Sequence, residues 1–312
     1  MERRASAAAL LSSLDPEQRA AATLPDGPAQ IIAPAGSGKT TTLVARLGVL
    51  LERGHAPDRI LVVTFNRDAA SELQTRIATR LAPLAPDAAR IEVRTLHAIG
   101  RQILLDTGWR GRLVGDRLPL LRAARRSVAA RGVDRATLPD VDRLDTDVSV
   151  AKLEQRPLSE TSAAVVATYE ALLARQGALD FDDLIARAVE ILERDAGVRA
   201  RWQARFAHVM VDEFQDVDAA QLRLIRLLAD PERNLFVVGD DDQTIYAWRL
   251  ADVRRVLELA GQLPDLRRVD LVTNYRCPRP VVLRAVRLVE HNRERFAKTI
   301  RPRRAAEGEL YL

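Results

Sequence analysis

Residues 31–43 read IIAPAGSGKTTTL. An apolar run meets a glycine-rich turn, and the turn meets Lys-Thr at the start of a pattern with helical spacing. The match is to the phosphate-loop spacing Gly-x-x-x-x-Gly-Lys-[Ser/Thr], with Ala33 standing where the first glycine falls. Gly36 and Gly38 let the backbone turn tightly and aim its N–H groups at an anion. In this reading Ala35, Gly36, Ser37, Gly38, Lys39, Thr40 and Thr41 cradle nucleotide phosphates. Lys39 reaches the β- and γ-phosphates, and the Thr40 hydroxyl faces Mg²⁺. A strand end before the loop and a helix N-terminus after it are the context this chemistry needs.

Working outward, runs with strand character recur at 29–33, 60–65, 91–95, 208–213, 235–240 and 269–273, mostly separated by helical patterns. That alternation predicts an α/β fold, a parallel sheet with helices on both faces. Between about 100 and 180 strand character stops, and stretches such as LPLLRAARRSVAARG predict an all-helical inserted subdomain.

Composition sets outer bounds. The 312 residues are 47% hydrophobic, enough for a substantial core, and no apolar run approaches the roughly 20 residues that span a bilayer. One cysteine, Cys277, excludes an intramolecular disulfide and fits a reducing compartment, so a cytoplasmic location is expected. No Cys/His spacing of a metal site is present. The net charge of +5 is uneven: residues 276–304 carry ten cations against two acids, so the basic character belongs to the tail. Such a tail suits nucleic acid or a solvated or partner-facing helix.

Two further stretches carry chemistry. HVMVDEFQD ends a hydrophobic strand in paired acids: Asp212 is placed to hold Mg²⁺, and Glu213 to orient and deprotonate an attacking water. VVGDDDQTIYAWR places Gln243 to feel a γ-phosphate. Tyr246 and Trp248 follow it, either stacking on bases or anchoring the core. Phe65 and His97 end strands on the ligand-bearing edge, where each taken alone reads as packing.

In order, LDPEQRAA, APAGSGKTTTL, ILVVTFNRDAASEL, VRTLHAIG, LDFDDLI, VMVDEFQD, VVGDDDQTIYAWR and NYRCPRP resemble the successive N-terminal motifs of the UvrD/Rep/PcrA superfamily 1 helicases. The resemblance implies a RecA-like P-loop NTPase fold that uses ATP and Mg²⁺ to move 3′ to 5′ on single-stranded DNA and open duplex at single-strand/duplex junctions. It implies that Gln18 reads adenine, that Tyr275 stacks on it, and that Arg276 reaches the γ-phosphate. Thr64, Phe65, Thr95, His97, Tyr246 and Trp248 would line the DNA path. Leu250 departs from the pattern by replacing the glycine that commonly follows the aromatic-Arg pair.

The implied organisation is a RecA-like ATP-binding domain in two parts, 1–105 and 184–275, with a helical insertion at 106–183. Residues 276–312 open a second RecA-like domain, whose remainder in the family supplies a further arginine to the γ-phosphate. The motifs are therefore expected to represent the N-terminal motor half. A split motor whose partner polypeptide supplies the second domain, a non-cycling ATP-dependent DNA-binding module, and a nuclease-coupled parent share them.

Overall fold

The structure, a computed structural model, describes residues 7–246 and 250–304. Its centre is a six-stranded parallel sheet in the order β3-β2-β6-β7-β1-β8. The strands are β1 (Ala29–Ile32), β2 (Ile60–Thr64), β3 (Glu92–Thr95), β6 (His208–Val211), β7 (Leu235–Gly239) and β8 (Arg267–Asp270). Two short pairs stand apart: β4 (Arg112–Leu113) with β5 (Ala178–Leu179), and β9 (Thr273–Pro278) with β10 (Arg301–Arg304).

The central strands are buried on both faces because successive side chains feed two different cores. Ile32, Leu61, Val63, Val209, Val211 and Val237 point into one cluster, with the Leu96–Asp106, Phe181–Arg194, Ala196–Arg205 and Ala219–Ala229 helices. Ile31, Ile60, Val62, Met210, Phe236 and Val238 point into the other. There Leu43, Leu47 and Leu50 of the Lys39–Glu52 helix and Leu73, Ile77 and Leu81 of the Arg67–Leu81 helix cover the sheet. The spacing of those six residues is the helical one. This is the RecA-like P-loop architecture, with helices on both faces of a parallel sheet.

A third cluster, centred on fully buried Tyr169, gathers the Leu118–Ala130, Val141–Ser149 and Glu160–Arg175 helices. The chain enters this region through β4 and leaves it through β5, and the two pair in parallel. Strand character therefore does not stop wholly between 100 and 180.

The run at 269–273 also divides. Leu271 N–H donates to Ile32 O at 2.8 Å, continuing the β8 ladder. Two residues on, the chain has left the sheet to cross the phosphate loop, and β9 pairs with β10 instead. The 305–312 stretch lies outside the described residues.

Candidate nucleotide and nucleic-acid site

The ends of β1, β2, β6 and β7 bring the motif residues to one edge. Gly36 (φ +73°) and Gly38 (φ +86°) are both left-handed, and Gly38 caps the Lys39–Glu52 helix. Neither has room for a side chain. A Cβ on Gly36 would lie 2.8 Å from Arg276 Cβ, and one on Gly38 would lie 2.5 Å from Gln18 Nε2. Ser37 is buried between them, and its Oγ has no hydrogen-bond partner among the described residues. Ala35 and Thr41 are exposed, and Thr40 is half-buried in the first helical turn.

Lys39 Nζ lies 2.6 Å from Glu213 Oε2, joining the phosphate loop to the end of β6. Glu213 holds a left-handed backbone (φ +52°), an uncommon conformation for a non-glycine residue, of the kind that concentrates at functional sites. Beside it, burial first and the Glu213 charge second push the Asp212 carboxyl up to about 6, against the pull of Lys39. Such a carboxyl gains from a nearby cation. The glycine cradle, the Ser37 hydroxyl without a partner among the described residues and this hard-oxygen acid fit a nucleotide phosphate and a Mg²⁺ ion, with Thr40 and Asp212 the residues that would hold the metal.

Gln18 is buried, and its amide is committed within the protein. Oε1 accepts from Asp15 N in a capping box, and Nε2 donates to Ser37 O at 2.8 Å. The Tyr275 hydroxyl donates to Asp15 Oδ2 at 2.6 Å, so Asp15 draws Gln18 and Tyr275 to one end of the loop. Burial, then Asp15, push the Tyr275 phenol up to about 12. Arg276 is exposed, with its Cβ against Gly36, whose carbonyl accepts from Tyr275 N at 2.8 Å.

Of the residues expected to line a DNA path, Phe65 and Tyr246 stack with centroids 5.1 Å apart and planes 20° from parallel. His97 meets the half-exposed Phe181 edge-on at 6.1 Å. These aromatics lie along a cavity of about 740 Å³ that also reaches Thr64, Asp212 and Glu213; Tyr246 joins it through its stack on Phe65. Thr95 is buried and caps the Leu96–Asp106 helix through Oγ1, which accepts from Ala98 N; this role positions His97 two residues on. Thr64 Oγ1 donates to Asn66 O. Trp248 lies outside the described residues. Leu250 has φ +66°, so the backbone a glycine would favour is kept by leucine, which packs on the core in compensation.

Two residues to which sequence alone assigns no role, Asn274 and Gln215, hold the site together. Asn274 Nδ2 donates to Ala35 O at 2.6 Å, while its Oδ1 accepts from Arg276 N and Cys277 N, clamping the loop to β9. Gln215 Nε2 donates to Glu213 Oε2 at 2.9 Å, and its Oε1 accepts from Asp240 N. Both lie inside quoted motifs, but only position in space gives them these partners. Asp180 and Asp183 of LDFDDLI form a capping box and take Lys152 Nζ, each at 2.9 Å.

At the opposite end of the sheet Asp26, His55 and His208 converge, a grouping that no sequence spacing announces. Burial, then His55, lower His208 to about 4. Arg46 and Arg53 flank Asp26, which makes the spot unfavourable for a cation.

Among the described residues no helix is long and apolar enough to cross a membrane. Residues 14–114 and 141–264 match the UvrD/REP helicase N-terminal domain family. The chain is 34% identical over 308 residues to the ATP-dependent DNA helicase PcrA of Leuconostoc citreum, and 33% identical over 309 residues to that of Bacillus subtilis strain 168. Each alignment covers 93% of this chain and 41% of the relative. The putative ATP-dependent DNA helicase YjcD of Bacillus subtilis is 31% identical over 301 residues, covering 92% of this chain and 40% of the relative. The chain thus spans about two-fifths of the length of the curated relatives it matches. It belongs to the UvrD/REP helicase N-terminal domain family.

Proposed function

We propose that the chain forms the ATP-binding motor half of a 3′-to-5′ DNA helicase or translocase, binding Mg-ATP at the phosphate loop and single-stranded DNA along the Phe65/Tyr246 edge. The observation that carries the reading is the 2.6 Å Lys39/Glu213 ion pair between the loop and the end of β6. It brings the phosphate-binding cation and the acid suited to activate water within contact of one another.

In this mechanism, phosphate competes for Lys39 and releases Glu213. Glu213 then orients the attacking water and accepts its proton at Oε2, while Gln215 holds the carboxylate from behind. A bound Mg²⁺ would neutralise phosphate charge. Gln243, tied to Asp240 Oδ2 at 2.6 Å, would sense the γ-phosphate, with Tyr246 three residues further on. Nucleotide state would thereby be transmitted to the aromatic stack. Adenine recognition requires Gln18 to exchange its bond to Ser37 O for the base, with Tyr275 as the stacking face. Arg276 would meet transition-state charge.

A second arginine and closure of the cleft belong to the family's second RecA-like domain, and an arginine of this kind contributes about 10³–10⁵ in rate. The 312-residue chain alone is therefore expected to bind Mg-ATP, turn it over slowly and fail to unwind duplex. Leu283 and Leu288, 43% and 73% exposed on the Arg279–Val289 helix, favour docking of a further domain or partner polypeptide. The test is ATP hydrolysis with and without single-stranded DNA. Stimulation abolished by Lys39→Ala supports the reading, whereas robust duplex unwinding by this chain alone would overturn the half-motor assignment.

A further inference from the structure

Part of the basic tail is spent internally. Lys298 Nζ lies 2.6 Å from Asp240 Oδ1, 2.5 Å from Asp241 Oδ1 and 2.9 Å from Asp242 Oδ2, with its side chain 1% exposed. Arg295 forks onto Asp242 through Nε at 3.0 Å and Nη2 at 2.8 Å. Asn292 Nδ2 donates to Asp242 Oδ1, and Phe296 N–H donates to Asp241 Oδ2 at 2.8 Å. Three successive acids at the end of β7 would repel one another without these donors. Burial lowers the Lys298 pKa, but Asp240 and its neighbours outweigh burial and hold it above the ordinary lysine value.

Asp240 connects this tail segment to the phosphate site in two directions. Its Oδ2 accepts from Gln243 Nε2, and its N–H donates to Gln215 Oε1 at 3.0 Å. Gln215 in turn donates to Glu213 Oε2, which holds Lys39. The Gln215 amide rests directly on the end of β7: a Cβ on Gly239 would lie 2.8 Å from its Oε1. An unbroken series of hydrogen bonds thus runs from Lys298 through Asp240, Gln215 and Glu213 to Lys39.

We propose that Lys298 is a positioning residue for the phosphate site, fixing the 240–243 turn and through it Gln215 and Glu213, so that the seating of residues 292–298 is coupled to occupancy of the phosphate loop. The inference rests on the nucleotide reading above. Phosphate takes Lys39 from Glu213, so the contact through which the tail supports binding is Gln243 on Asp240 Oδ2, and the coupling is reciprocal: loosening the tail misplaces Gln243 and weakens Mg-ATP binding, and Mg-ATP tightens the tail. A lysine that merely balanced charge would affect stability and nothing else once the charge was balanced another way.

The experiment is equilibrium binding of Mg-ATP to the full 312-residue chain, alongside thermal unfolding, for Lys298→Met, Gln215→Leu and the double variant. Lys298→Met is expected to weaken Mg-ATP affinity about tenfold, and the double variant to lose no more than the worse single one, because both cut one series of contacts. Adding Asp242→Asn to Lys298→Met is expected to recover melting temperature but not affinity. If Lys298→Met does not fold, Arg295→Met loosens the same segment and is read the same way. Unchanged affinity, strictly additive losses, or affinity restored together with stability by Asp242→Asn would each overturn the proposal. Wild-type binding that Lys39→Ala abolishes, together with an additive cycle, would refute this coupling alone. A wild-type chain that binds no Mg-ATP would refute both this inference and the nucleotide reading.

Discussion

Glu213 and Gly38 carry the most specific consequences at the scale of single residues. Glu213→Gln preserves the shape that accepts from Gln215 but removes the carboxylate proposed to act as base, so Mg-ATP binding should persist while turnover falls at least about 100-fold. A comparison of nucleotide affinity with single-turnover hydrolysis checks this, and equal loss of both would show that Glu213 serves binding instead. Gly38→Ala combines a left-handed backbone with a Cβ 2.5 Å from Gln18 Nε2. It should cost about 1–2 kcal/mol from the backbone alone, seen as a lower unfolding midpoint, and weaken nucleotide binding as Gln18 is displaced. At this scale the sequence was most legible where chemistry demands a residue type at fixed spacing, as with Lys39, Asp212, Glu213 and the two glycines. It was least legible for Asn274 and Gln215, whose partners, Ala35 O and Asp240 N, lie far away in the chain.

Among the elements, the Ala219–Ala229 helix is capped by Asp218, whose side chain accepts from Gln221 N. Burial first, with the nearby Asp182 and Glu154 charges adding and the Gln221 N–H and Arg255 opposing, pushes this carboxyl up to about 7. The folded protein therefore holds this proton more tightly than the unfolded chain. The stabilising contribution is complete below about pH 4 and is lost as pH rises through about 7. Asp218→Asn keeps the cap without the charge. It should match the wild type near pH 4 and exceed it by about 1–2 kcal/mol above pH 7, as read from denaturant midpoints at both values. Lys152, 9% exposed in its side chain, holds Glu170, Asp180 and Asp183 together. Lys152→Met leaves those carboxylates without their cation and should destabilise the chain by about 3–5 kcal/mol, measured by urea unfolding. The strands were legible because alternating side chains feed two cores. The division of 269–273 was not, since the same apolar letters serve β8 and the crossing that follows it.

Across the whole molecule, the parallel sheet, its two covered faces and the edge that gathers the motifs follow from alternation of strand and helix patterns together with the phosphate loop. The partition of the basic tail did not follow from composition. Arg295 and Lys298 neutralise acids within the chain, while Arg276 stays exposed, and only the fold distinguishes them. The paired aromatics Phe65 and Tyr246 come from segments about 180 residues apart in this chain, joined because β2 and β7 flank β6. By the proposed function, these elements assemble a nucleotide phosphate site at the Lys39/Glu213 pair. Its most direct test is calorimetric titration of the purified chain with Mg-ATP, beside Lys39→Ala of matched stability. Saturable one-site binding by the wild type and loss of that binding in the variant are expected. Equal affinity in the two proteins would contradict it.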